Sequence, residues 1–396
     1  FTWLAQIAKE VAWSNADAKS AILNVRVQDE RTVTFELDKT YPEMMADIIS
    51  GGILPRHIYE KIPFGEWQNY DWSRIRVGSG PYLLEGYRPG EEISLTRNPS
   101  FYRRDLPHLD RIVYRIVPDM GNLILQLQAG TVDLVDGISP WQAESLISAR
   151  SVDVREVPSL GYDYIGWNTA RPPLNDPEIR KALTMAVDRE GIVEELLYGH
   201  GRVSLGPVPR NYRIPVKGDA WPYDPDQARA ILAAEGFVLK DGVQHRNGGP
   251  FEIEITTNAG NALRNMVMVR VQEQLGRIGV KVRLLPPMQM SAFVSKNMSG
   301  DFDAYIGGWA FDGKVELRGL FASSSVPPDG FNVVRYRSRE FDAALEALEA
   351  AVAFPEMAGA LQRIHDRIHA EQPYTFLFES SRLAASSTRL HGLPLN

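Results

Sequence analysis

Two histidines four residues apart, His365 and His369 in the string HDRIH, have the spacing that lets two imidazoles on one helix meet a single metal ion. A zinc hydrolase built on that spacing needs Glu directly after the first histidine, and the chain has the shorter Asp366 there. Leu361, Ile364 and Ile368 form the apolar stripe of the same helix, which predicts both histidines on its flank, at the surface and without metal. The string VGSGPYLLEG places Gly78 and Gly80 after a β-type residue, as a dinucleotide loop would. Leu83 occupies the third glycine position and Pro81 removes a backbone donor, so a strand-entry turn is expected, and no nucleotide cofactor. The chain has no G-x-S-x-G elbow, no phosphate-binding lysine loop and no readable Ser/His/Asp set. Glu91-Glu92 reads as a solvated strand face. No residue pattern gives reason to expect an enzyme.

A different chemistry is suggested by aromatic and polar residues grouped at strand ends. Tyr162, Tyr164 and Trp167 lie in GYDYIGWN, Asn258 follows FEIEITTN, and Trp309, Phe311 and Asp312 lie in GGWAFDG. Ligands of α/β sheets sit at the C-terminal ends of strands, and small-molecule clefts combine aromatic walls with a few polar anchors. Any one of these aromatics could equally be core. Gly307 and Gly308, just before Trp309, fit a close approach of another backbone. Asp312 is positioned to anchor a positively charged ligand group, with Lys314 as an internal competitor.

The elements that must position these residues alternate. The runs ILNVRVQ and TVTFEL around Asp29-Glu30-Arg31 predict a hairpin, 41–49 a short amphipathic helix, and 55–76 an irregular stretch. From Gly78 onwards strands and helices alternate through GYDYIGWN, with Ser139-Pro140 opening one helix. Asn175 with Pro177, then Asp188, then Asp224-Pro225 open three more helices. A strand at FEIEITTN, a helix over about 262–278, Gly279 and a strand at VKVRLL form a βαβ unit, and a strand over 301–309 follows. Two helices over 338–351 and 355–370 lead to a last strand, YTFLFE, which has no partner left nearby and is expected to return to the earlier elements. The fold class is α/β.

Composition sets the outer bounds. At roughly 150 residues per domain, 396 residues make two to three domains. The apolar share of 44% and the charged share of 23% are those of a folded chain. Lysine and arginine total 43 against 50 acidic residues, a net charge of −7 with no long basic run, which argues against nucleic acid. The absence of cysteine excludes thiol catalysis, cysteine zinc sites and disulfides, while fitting either a reducing or an oxidising compartment. No apolar run approaches the ~20 residues needed to span a bilayer. Any export signal would precede Phe1.

Five ordered blocks carry a resemblance: GSGPYLLEGYRPGEEISLTRNPSFY, LDRIVYRIVPDMGNLILQLQAGTVDLVDG, GYDYIGWNTARPPLNDPEIRKALTMAVDREGIVEELLYG, YDPDQARAILAAEGF, and DFDAYIGGW followed by GFN and Tyr. From about residue 22 to the C-terminus the chain resembles bacterial extracellular solute-binding proteins of family 5, the peptide-binding receptors of ABC transporters. The resemblance implies a periplasmic-binding-protein-like fold of two hinged α/β lobes with an extra small domain. It also implies that the N-terminal part of the first lobe and of the small domain lies upstream of Phe1. In this reading 1–76 is the remainder of the small domain, 77–171 with 372–396 is lobe I, and 172–371 is lobe II. It implies a monomeric periplasmic or extracellular protein, with or without a lipid anchor, that delivers a peptide-like solute to a permease. Tyr162, Tyr164, Asn258, Trp309, Phe311 and Asp312 would contact the ligand, with Trp309 and Tyr162 on opposite lobes. An oligosaccharide or a nickel chelate is the alternative ligand within that family, and a hydrolase of the same shape the alternative outside it. Where many peptide receptors follow Gly-Trp with an acidic Asp-Pro stretch, this chain keeps Asp312 but continues Gly313-Lys314-Val315-Glu316.

Overall fold

In a computed structural model, residues 1–8, 21–38, 40, 44, 52–71, 76–149, 152–311 and 313–392 are described. The chain divides into two compact units, 1–126 and 127–396. In the first, β1 (Ile22–Val27) and β2 (Val33–Leu37) form the expected antiparallel hairpin, closed where Asp29 Oδ1 accepts from the Arg31 amide at 2.8 Å. β3 (Tyr82–Arg88), β4 (Glu92–Arg97) and β5 (Arg111–Arg115) form an antiparallel sheet, with Gly90 at a φ of 75° in the first turn. The irregular 55–76 stretch holds one helical turn, Arg56–Tyr59, and a 3-10 segment, Phe64–Asn69, around buried Trp67. The helix expected over 41–49 lies, apart from Met44, outside the described residues.

The second unit is organised by an eight-stranded sheet made of β6 (Leu134–Asp136), β7 (Asp153–Pro158), β8 (Gly161–Trp167), β9 (Gly201–Val203), β13 (Glu252–Thr257), β14 (Lys281–Leu284), β15 (Ala304–Ala310) and β16 (Tyr374–Ser386). A small antiparallel sheet of β10 (Val238–Lys240), β11 (Val243–Arg246) and β12 (Gly249–Pro250) stands apart from it. β14, β13 and β15 run parallel, as the βαβ pattern predicts, and β8 pairs antiparallel with β15 on one side and β16 on the other. β16 then passes beyond β8 to pair with β9, β7 and β6. The last strand therefore does return to the earlier elements, and it does so over 13 residues. Along β16 the partners change from β8 and β9 to β7 and β6 next to Ser380, whose carbonyl accepts from the Ser159 amide at 3.3 Å.

Period-2 alternation in β8 sends successive side chains to opposite faces. Ile165 and Trp167 join Ile255 and Ile306 beneath the helices Pro177–Met185, Arg189–Leu196, Pro225–Ala234 and Ala262–Arg277. Tyr162 and Tyr164 join Tyr305, Tyr374 and Phe376 beneath Arg339–Ala350 and Phe354–Glu371. Five of these six helices begin at a residue whose side chain caps an amide, Phe354–Glu371 being the exception. Asp188, Asp224 and Asn261 accept from the amides of Gly191, Gln227 and Arg264 at 2.8, 2.8 and 2.9 Å.

The histidine expectation is corrected here. His365 is 1% exposed and His369 is half-buried. Their rings stack at 6.3 Å, and His369 also stacks on Trp221 at 5.1 Å. The sequence stripe covered one flank only, whereas segment 204–218 packs over the other, with Gly206 so close that a Cβ there would lie 2.7 Å from the His365 ring. Neither His365 ring nitrogen has a hydrogen-bond partner among the described residues. Burial, helped by His369, lowers His365 from 6.5 to about 4. An unfolded His365 takes up its proton near pH 6.5 and the folded one only near 4. Its contribution is present above the upper value and is lost as pH falls through this window. Denaturant titrations of the parent against His365→Leu should therefore show the parent losing about 1–2 kcal/mol more between pH 7 and pH 5. Parallel pH profiles would refute the assignment.

Candidate functional site

The C-terminal ends of β13 and β15 and the N-terminal end of β8 meet at one edge of the large sheet. Registry places Trp309 opposite Tyr162, Gly308 opposite Asp163 and Gly307 opposite Tyr164. Trp309 and Tyr162 are thus neighbours on adjacent strands of one sheet, which corrects their expected placement on opposite lobes.

On the first face the aromatic residues are layered. Tyr164 stacks on Tyr374 at 3.8 Å and 12°, and its hydroxyl lies 3.0 Å from that of Tyr305. Gly166 and Gly307 make this possible, since a Cβ on Gly166 would stand 2.8 Å from the Tyr305 ring. Tyr162 and Tyr164 are each 2% exposed, so both are core. Burial raises the phenols of Tyr162, Tyr164 and Tyr305 well above their ordinary range, so all three stay neutral. Trp309, parallel to Tyr164 at 6.4 Å, and Phe311, 5.9 Å from Tyr162, are only half-buried and form the accessible end of the stack. Trp167 belongs to the opposite core and is fully buried.

On the second face sits a polar cluster that sequence reading did not single out. Arg264, in the first turn of Ala262–Arg277, donates from Nε to Asp163 Oδ1 at 2.6 Å and from Nη1 to Asn258 Oδ1 at 2.9 Å. Asp163 and Arg264 are 16% and 18% exposed at their side chains, and Asn258 is buried. Burial pushes the Asp163 carboxyl up while Arg264 pulls it down, and burial prevails. The available signal was Asp163 itself, a charged residue in register with buried Ile165 and Trp167, which demands a counter-charge. Of the expected site residues, the structure thus brings Trp309 and Phe311 together over Tyr162 and Tyr164, and places Asn258 with Arg264 on the other face. Asp312 lies outside the described residues. The edge offers stacking surface and hydrogen-bonding groups, with its acid already paired to a guanidinium.

Residues 1–324 match the family model of bacterial extracellular solute-binding proteins, family 5 Middle. The chain is similar to the oligopeptide-binding protein AppA of Bacillus subtilis, with 28% identity over 403 residues, covering 99% of this chain and 73% of that protein. It is also similar to the glutathione-binding protein GsiB of Salmonella typhimurium, at 28% identity over 80% of this chain, which spans 61% of that protein's length. The solved structure of Bacillus subtilis AppA in complex with a nonapeptide superposes with a TM-score of 0.78 at 27% identity, over 100% of this chain and 79% of that chain.

The layering separates core from surface in a way that mutants can read. Tyr164→Ala should cost about 3–5 kcal/mol of stability in chemical denaturation, whereas Trp309→Ala should cost less than half as much. Equal losses would make Trp309 a core residue.

Proposed function

Because the chain belongs to the bacterial extracellular solute-binding proteins of family 5, we propose that it captures a peptide-like solute between two hinged lobes and presents it to the permease of an ABC importer. The observation that carries this reading is the half-buried Trp309 and Phe311 at the strand ends, beside an already paired polar cluster. Similarity to a protein described as oligopeptide-binding supports the choice of peptide. The hinge is read at Ser159 and Ser380, where both chain crossings lie side by side. Lobe closure follows from a ligand that contacts both lobes only when they are shut, which shifts an open-closed equilibrium. In this reading the protein acts as a monomer, in the periplasm or outside the cell, with or without a lipid anchor. Among the described residues no helix is long and apolar enough to cross a membrane.

Asp312, three residues beyond Trp309, is assigned to the free amino terminus of the peptide. A carboxylate in a closing cleft loses water, and only a cation with good geometry offsets that loss. Unmodified peptides at 100-fold excess over their dissociation constant should stabilise the protein by about 2.7 kcal/mol, read as a rise of a few degrees in melting temperature. N-acetylated versions should bind weakly, and Asp312→Asn should cost about 2–5 kcal/mol for the unmodified ones. Equal affinity for free and acetylated peptides would remove Asp312 from the site, and no shift with any peptide would remove the peptide reading.

A further inference from the structure

The Asp163–Arg264 pair has unused capacity. A guanidinium carries five N–H donors, and a carboxylate accepts on both oxygens. Arg264 spends Nε on Asp163 and one Nη1 hydrogen on Asn258, leaving Nη2 with no acceptor among the described residues. Among the described residues Asp163 accepts on Oδ1 only, which leaves Oδ2 without a donor there. Both side chains keep part of their surface accessible, at 16% and 18%. Their orientation is held from two sides. Asn258, itself 6% exposed, turns its amide nitrogen to the Ala259 carbonyl at 3.3 Å and its oxygen to Arg264. Opposite Asp163 stands Gly308, where any Cβ would collide with Arg264 Nη2 and come within 2.9 Å of Asp163 Oδ1. The absence of a side chain at position 308 is what leaves the guanidinium its place.

We infer that Asp163 and Arg264 act together as a specificity element that reads one amide group of the solute, Arg264 Nη2 donating to its carbonyl oxygen and Asp163 Oδ2 accepting from its N–H. This rests on the peptide reading above and narrows it. An open donor beside an open acceptor matches an amide, which presents both, better than a carboxylate, which only accepts. The pair carries no net charge, so an anionic ligand gains no Coulombic preference from it. Gly308 and Asn258 are positioning residues, Gly308 by leaving room for the guanidinium and Asn258 by holding its Nη1.

The probe is a tryptic digest of casein, incubated with the full chain, separated by rapid gel filtration and identified by mass spectrometry in the protein fraction. The parent should retain peptides. Gly308→Ala, which displaces the guanidinium without deleting it, and Arg264→Met should each retain about tenfold less, the effect of roughly one desolvated hydrogen bond. Gly308→Ala should melt within a few degrees of the parent, so its result stands even if Arg264→Met folds poorly. Asp163→Asn leaves Arg264 as an uncompensated cation and should shift the retained set towards peptides with additional carboxylates. If the parent retains peptides and Gly308→Ala and Asp163→Asn retain the same set in the same amounts, the inference fails while the peptide reading stands. A parent that retains no peptide overturns both.

Discussion

Strand β16 has to satisfy two ladders at once, and the 127–396 unit depends on its doing so. A buried backbone amide or carbonyl left unpaired costs on the order of 1–3 kcal/mol, so a strand this long and this buried must find partners along its whole length. It finds β8 and β9 with its first half and β7 and β6 with its second. Its entry is held by buried Arg180, which donates to the carbonyls of Leu174, Glu371 and Gln372 at 2.6–3.0 Å. Desolvation lowers that guanidinium to about 10, against the opposing pull of Glu371, Tyr336 and Asp176. Thr375, at the start of the strand, bonds both the Thr184 hydroxyl and the Trp167 indole. Because β16 is fixed, β8 is fixed between it and β15, and the strand ends that carry Trp309 and Asp163 meet at one edge.

That edge divides its chemistry by the pleat. Neighbouring residues of β8 face opposite layers, so Tyr162 and Tyr164 support an aromatic stack ending in Trp309, while Asp163 between them meets Arg264 on the other side. Glycines in the partner strand are the complement of both arrangements. Gly307 makes room for Tyr164 and Gly308 for Arg264, two consecutive positions serving two faces. A rigid apolar platform next to a pre-paired charge suits recognition, since little reorganisation is left for the moment of binding.

Much of this was legible in the residues. The caps at Asp188 and Asp224, the parallel β13–β15 unit and the return of the last strand were readable because local propensity and period agree there with the final fold. The change of partner along β16 was not, because β8 reads alike whichever sheet takes it, and partner choice is a long-range property. The burial of His365 was hidden for a related reason: helix periodicity reports one packed face, and the second cover comes from a segment some 150 residues away in sequence, 204–218. Within the site, aromatic residues at strand ends drew attention by type. Arg264 did not, since an arginine in the first turn of a helix ordinarily reads as solvated surface, and only the tertiary approach of Asp163 gives it a role.

Native mass spectrometry of the protein, expressed in bacteria and purified without denaturation, tests the central claim most directly. The account predicts a fraction of molecules carrying a releasable ligand whose fragmentation gives an amino-acid sequence ladder, with the added mass lost when Asp312 and Arg264 are both substituted. A releasable ligand that fragments as a saccharide or carries the isotope pattern of nickel would contradict it.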